Sequence, residues 1–122
     1  MIDVRKVQAL LNEHPHLHRL GYGNPPGKQI SDAARAELLT PPARVRIHAA
    51  LHWIEANLAP ATRYQSRPRS AYSWKHEMQR QTGLYVTVGE FAAAALLSHI
   101  SVDTNFYNPL LHAVHVPAGS QP

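Results

Sequence analysis

Nine histidines lie in a chain of 122 residues, and three groups of them have spacings that suit a metal ion. His14-Pro15-His16-Leu17-His18 alternates, so an extended backbone would turn all three imidazoles to one side. His48 and His52 stand four apart, with Glu55 three further on. On a helix that spacing puts two nitrogens and a carboxylate on one face, a donor set for a divalent cation. His112 and His115 form a third pair. No zinc-finger pattern and no metalloprotease signature is present. Ala, Arg, Pro and His are abundant together, so composition accounts for much of the histidine content. His48, His52 and Glu55 are therefore the metal candidates, and no cofactor is expected.

The second concentration is of charge. The chain carries twelve Lys+Arg against eight Asp+Glu, a net +4. Residues 60–82 hold Arg63, Arg67, Arg69, Lys75 and Arg80 against Glu77 alone, a local +4. Residues 83–122 have Glu90 and Asp103 and no Lys or Arg. The basic segment also contains Tyr64, Tyr72 and Trp74. Arginine forks suit phosphate oxygens, and aromatic rings stack on exposed bases. Arg63, Tyr64, Arg67, Arg69, Trp74, Lys75, His76 and Arg80 are the candidate contact residues for nucleic acid or another partner, and Arg44 and Arg46 could extend the patch.

Other chemistry is poorly represented. With no Cys there is no thiol nucleophile, thiolate metal site or disulfide. No Ser sits in a nucleophile elbow, and the carboxylates are scattered. A non-enzymatic protein is expected, with a nuclease built on His and Lys75 as the enzymatic option. The glycines of Gly21-Tyr22-Gly23-Asn24-Pro25-Pro26-Gly27 match no phosphate-binding spacing, and its prolines remove N–H donors.

These residues must be positioned by helices. Val4, Val7, Leu10 and Leu11 recur at helical spacing after Asp3, and Pro15 stops the helix near Glu13. Ser31 opens a short helix that ends near Leu39. Thr40 and Pro41 are an N-cap and first-turn proline for a helix reaching Leu58, with Ile47, Leu51, Ile54 and Leu58 on one stripe. A helix is expected over Ser70–Gln81, closed by Gly83 in the left-handed conformation. Thr87 and Glu90 form a capping box that opens a helix over Val88–Ile100. That helix is apolar nearly all round, which places it at the centre. Leu110–Val116 reads equally as helix or strand. The fold class expected is mainly α: a single-domain bundle of about four helices over 1–116, a minor β segment near the C-terminus at most, and a flexible tail over 117–122.

Two further exclusions follow. The N-terminus has no apolar signal region, and no stretch is long and apolar enough to span a bilayer, so a cytoplasmic protein without membrane partners is expected. The helix pair over Ser70–Ile100 is not a helix-turn-helix: its Thr82–Thr87 connection is too long, and Phe91–Leu97 offers no polar side chain to read a base.

Tyr72-Ser73-Trp74-Lys75-His76, Gly83-Leu84-Tyr85-Val86 and Gly89-Glu90-Phe91 before a run of alanines resemble a signature of small bacterial, phage and mobile-element proteins. That signature reads Ser-Tyr-Gly-Leu-Lys-His, a Glu, then Tyr-Val-Ser-Asn-Gly and an alanine-rich helix. Ser73-Trp74 replaces Gly-Leu here, and Thr87-Val88 replaces Ser-Asn. The likeness covers about a quarter of the chain. It implies a mobile-element setting and a shared structural unit, with no activity attached and no catalytic residue to carry over. Lys75-His76 stands out as the pair without an evident folding role.

The expected function is a small basic binding protein of a phage or mobile element, contacting nucleic acid or a nucleoprotein complex through residues 60–82. The alternatives are an inhibitor of a host protein, such as a defence system or polymerase, and a His-rich metal-binding protein. The alanine-rich helix also admits a homodimer.

Overall fold

The computed structural model describes residues 1–23, 30–61 and 67–116. Its helices begin and end where local chemistry dictates. Asp3 caps α1 (Val4–Glu13) by accepting from the Arg5 N–H, and Ser31 caps the short α2 (Asp32–Ala36). A 3-10 turn over Glu37–Leu39 leads to Thr40, which caps α3 (Pro41–Asn57). Ser70 caps α4 (Ala71–Thr82), and Gly83 closes it with φ +74°. Thr87 and Glu90 make both bonds of a capping box at the start of α5 (Val88–Leu97). That helix ends before Ile100, because the Ser98 hydroxyl donates to the Ala95 carbonyl and accepts from the Ile100 N–H.

The expectation of a mainly α four-helix bundle is corrected by the strands: the fold is mixed α/β. Among the described residues, five α-helices accompany two antiparallel sheets. A two-stranded hairpin pairs β1 (Leu17–His18) with β2 (Gly21–Tyr22). The larger sheet is organised by β6 (Leu110–His115), which pairs with β3 (Leu58–Pro60), β4 (Arg69–Ser70) and β5 (Ser101–Asp103). Register sets Leu58 opposite His115, Arg69 opposite Leu111 and Val102 opposite Leu111. The physical reason for the discrepancy is length. Strands of two or three residues are too short to display a period of two; β3, β4 and β5 form because the longer β6 supplies their hydrogen bonds, and β1 and β2 pair with each other across a tight turn. In β6 the alternation is visible: Leu111 and Ala113 are buried, and Leu110, His112 and Val114 are half-buried.

The core is built around α5. Gly89 through Ala95 are all buried. The alanines let α3 approach closely through its own Ala50 and Ile47, and Trp53 tilts against Phe91 with ring centroids 6.3 Å apart. Trp74, Met78, Ile54 and Leu111 complete the interior. Each large side chain of this kind contributes roughly 1.5–3 kcal/mol through burial. Gly89 permits one contact that no other residue would allow. A Cβ there would collide with the His18 carbonyl oxygen and stand 2.5 Å from the Arg19 carbonyl. The Gly89 N–H instead donates to the Arg19 carbonyl at 2.9 Å, seating the hairpin on the start of α5. No helix among the described residues is long and apolar enough to cross a membrane.

Candidate functional site

Helix α4 divides its side chains between core and solvent. Ala71, Trp74, Lys75 and Met78 are buried, which their spacing of three and four requires once Trp74 points inward. Tyr72, His76 and Arg80 follow one another at i, i+4 and i+8 and form a row on the outer side. Tyr72 is 52% exposed, Arg80 is exposed, and the half-buried His76 ring meets Tyr72 edge-on at 4.3 Å. Beyond Gly83, Leu84 and Tyr85 are both exposed.

Lys75 is the unusual member of this surface. Only 5% of it is exposed, and its ammonium donates to the Gln79 Oε1 at 3.0 Å. The Nζ lies 5.6 Å from the Tyr72 ring and 5.1 Å from the Tyr85 ring, which gives it two aromatic faces in place of a carboxylate. Burial lowers its pKa from the ordinary lysine value. Two neighbours have incomplete hydrogen bonding as well: the buried Trp74 Nε1 and His76 Nε2 have no partner among the described residues.

On the other flank of α4, Arg69 lies over the Trp74 ring at 3.7 Å. Its Nε and Nη2 donate to the Ser73 Oγ, and its Nη1 donates to Glu77 at 3.2 Å. The other Glu77 oxygen meets the His115 Nε2 at 2.6 Å, and the His115 ring stands edge-on to Trp74 at 5.1 Å. Burial alone would push the Glu77 carboxyl up. The hydrogen bonds and positive charge of His115 and Arg69 outweigh that, and hold it below the usual range.

The structure thus sorts the sequence candidates. Arg63 and Tyr64 lie outside the described residues. Arg67, His76 and Arg80 reach the surface or its margin, Arg69 is folded onto Trp74, and Trp74 and Lys75 are buried. Arg44 donates to the Leu39 carbonyl, and Arg46 grips Glu90 with its Nε 2.8 and 2.9 Å from the two carboxylate oxygens. Glu90 is 1% exposed, so Arg46 is a clamp between α3 and α5 and not part of a basic patch. His48, His52 and Glu55 are exposed on α3, and no group of three His, Asp or Glu among the described residues is placed to hold a metal.

The alternating histidines are also separated. The His14 Nδ1 hydrogen-bonds with the Tyr22 hydroxyl. His16 is exposed. His18 is buried, with its Nδ1 accepting from the Leu20 N–H and its Nε2 facing the Gly23 carbonyl, so both nitrogens serve the hairpin. Tyr85, Glu77 and His115 join the site although the sequence did not name them as contact residues, and His115 bonds to Glu77 rather than serving as a metal pair with His112. Their signal is tertiary: Tyr85 meets Lys75 only after the Gly83 turn, and His115 meets Glu77 only across the sheet.

Compared with protein-family models, with curated proteins and with solved structures, the chain matches none.

Proposed function

We propose that the protein is a non-enzymatic binder of nucleic acid or a nucleoprotein complex, and that its contact surface is the outer side of α4. The observation that carries this reading is the Tyr72–His76–Arg80 row, with Tyr85 exposed beside it and Arg67 exposed before it. Aromatic rings and arginine at one-turn intervals suit unpaired bases and their phosphates. The internal engagement of Arg69 and Lys75 narrows the expected patch within residues 60–82 to the Tyr72–His76–Arg80 row, and that of Arg46 removes its extension onto α3. The likeness of residues 70–96 to the mobile-element signature supports a phage or mobile-element setting.

The test is fluorescence anisotropy of a labelled single-stranded oligonucleotide over a range of salt. Binding should weaken steeply with salt, and Arg80→Ala should lower the salt slope by about one phosphate contact. Undetectable binding to both DNA and RNA at low salt would remove naked nucleic acid as the partner.

A second reading, an inhibitor that binds a host protein, is favoured by one observation. The exposed surface here is more aromatic and apolar than basic: Tyr72, Leu84 and Tyr85 are each at least half exposed. Such residues are typical interface anchors. A nuclease-resistant pull-down of one protein, lost with Tyr72→Ala and Tyr85→Ala, would establish it.

A further inference from the structure

A separate cavity lies where the β1–β2 hairpin meets the loop before β6. It has a volume of about 320 Å³, and its walls are the rings of His16, Tyr22, Phe106 and Tyr107. Phe106 is 50% and Tyr107 36% exposed. Gly23, Thr104 and Asn105 complete the lining, and neither the Thr104 nor the Asn105 side chain hydrogen-bonds within the described residues. The cavity is therefore open, aromatic on its faces, and has at its edge polar side chains free to bond a ligand.

Two of its walls, Tyr22 and Tyr107, are tied to each other and to the hairpin. The Tyr22 N–H donates to the Tyr107 carbonyl at 2.8 Å. Gly21 has φ +154°, and a Cβ there would lie 2.5 Å from that carbonyl oxygen and 3.4 Å from the Tyr107 ring, so the close approach needs glycine. His14 fixes the Tyr22 hydroxyl, and His18 lies 5.8 Å from the Tyr107 ring. The Asp103 carboxylate accepts from the Asn105 N–H and shapes the loop. Preformed walls of this sort lower the ordering cost of taking a ligand.

The cavity is also continuous with α4. Asn108, one residue after Tyr107, accepts from the Tyr72 N–H at 3.1 Å, and the Pro109 carbonyl accepts from the Ala71 N–H. The loop that forms the cavity wall is thus fastened to the end of α4 from which the Tyr72–His76–Arg80 row departs.

We infer that this cavity receives one unpaired nucleobase of a single strand whose neighbouring nucleotides pass over the α4 row. A base satisfies both halves of the lining. Its faces stack on Tyr22, Phe106 or Tyr107, and its polar edge meets Asn105 and Thr104. An aliphatic side chain would leave those polar groups desolvated without partners. The inference rests on the nucleic-acid reading above and adds the position at which a base is held.

The experiment measures affinity for a single-stranded oligonucleotide, intact and with one abasic position moved along its length. It uses the whole chain, with Phe106→Ala, Asn105→Ala and Arg80→Ala as variants. Phe106 and Asn105 are exposed, and unchanged melting will show that those variants fold. Phe106→Ala should weaken binding roughly ten- to a hundredfold, as loss of one stacked base does, with the salt slope unchanged. One abasic position should weaken binding to the wild type and have no further effect on Phe106→Ala. Binding that neither variant nor any abasic position alters, but that Arg80→Ala weakens, would overturn the cavity assignment and leave the α4 reading standing. Failure of the wild type to bind any oligonucleotide at low salt would overturn both. Salt-insensitive binding of a neutral oligosaccharide, lost in Phe106→Ala, would also overturn the nucleobase assignment.

Discussion

Arg46 and Lys75 are both cations on helices that flank α5, and they are treated in opposite ways. Arg46 meets a carboxylate with both arms of the contact made, and that carboxylate is itself held by the Thr87 N–H. Lys75 is more deeply buried and has one neutral carbonyl and two tyrosine rings. Around Arg46 no buried side-chain polar atom among the described residues lacks a partner. Around Lys75 the Trp74 and His76 nitrogens lack partners among the described residues as well. Local rules agree where a region serves only the fold, and they are broken where other demands act. By that criterion the α3–α5 contact is structural, and α4 is the element we propose as the contact surface.

The largest expected effect is on the structural side. Arg46→Met leaves the Glu90 carboxylate buried without its cation and should cost about 3–5 kcal/mol, read as a lower urea midpoint. A loss below about 1 kcal/mol would class Arg46–Glu90 with ordinary surface pairs and break the contrast. Next comes Gly89→Ala. Alanine favours the helix, so any loss is steric, from driving the His18–Arg19 backbone off α5. We expect about 2 kcal/mol. Stability equal to or above that of the wild type would show that the hairpin yields freely.

Glu77 stands between the two regions, with its carboxylate satisfied by Arg69 and His115 but open to solvent at one side. Its folded pKa lies below the ordinary 4.5, so its contribution is fully present above that value and is lost as pH falls through the folded pKa. Glu77→Gln should therefore cost about 1 kcal/mol near neutral pH, with the difference from wild type closing as pH falls below 4.5 and through the lowered folded pKa. A difference that persisted unchanged into acid would assign the loss to packing rather than to charge.

The same contrast explains what the sequence disclosed. Helix ends were legible because Thr40-Pro41, Thr87…Glu90 and Gly83 each act on their own backbone. The central place of α5 was legible from a run with no polar face. Strands of two or three residues carry no such signal, so a helical bundle was expected where a sheet gathers on β6. Arg69 and Arg46 read as surface charge because the groups they bind, Trp74 with Glu77 and Glu90, come from other turns or another helix. Lys75 was nearer to being legible. Ala71, Trp74 and Met78 define the inner stripe of α4, and position 75 falls on it. Cavity-lining Tyr22 and Tyr107 come together only through the register of the hairpin and loop, which no short-range pattern encodes.

The smallest effect has the opposite sign. Lys75→Met keeps the length of the side chain and removes a charge that burial disfavours, while Gln79 keeps its contact with the Val86 N–H. If Lys75 sits there for a reason other than stability, the variant should be more stable by about 0.5–1 kcal/mol, because a buried charge without a counter-charge costs more than an apolar group of similar shape. The pH dependence distinguishes this from a packing gain. The folded pKa of Lys75 lies below the ordinary 10.5, so the cost is fully present below the folded value and fades as pH rises toward 10.5. The advantage of Lys75→Met should therefore be greatest at neutral pH and shrink in alkali. A variant less stable than wild type at neutral pH would mean that the Tyr72 and Tyr85 rings and Gln79 fully compensate the ammonium. Lys75 would then be a clamp of the same kind as Arg46.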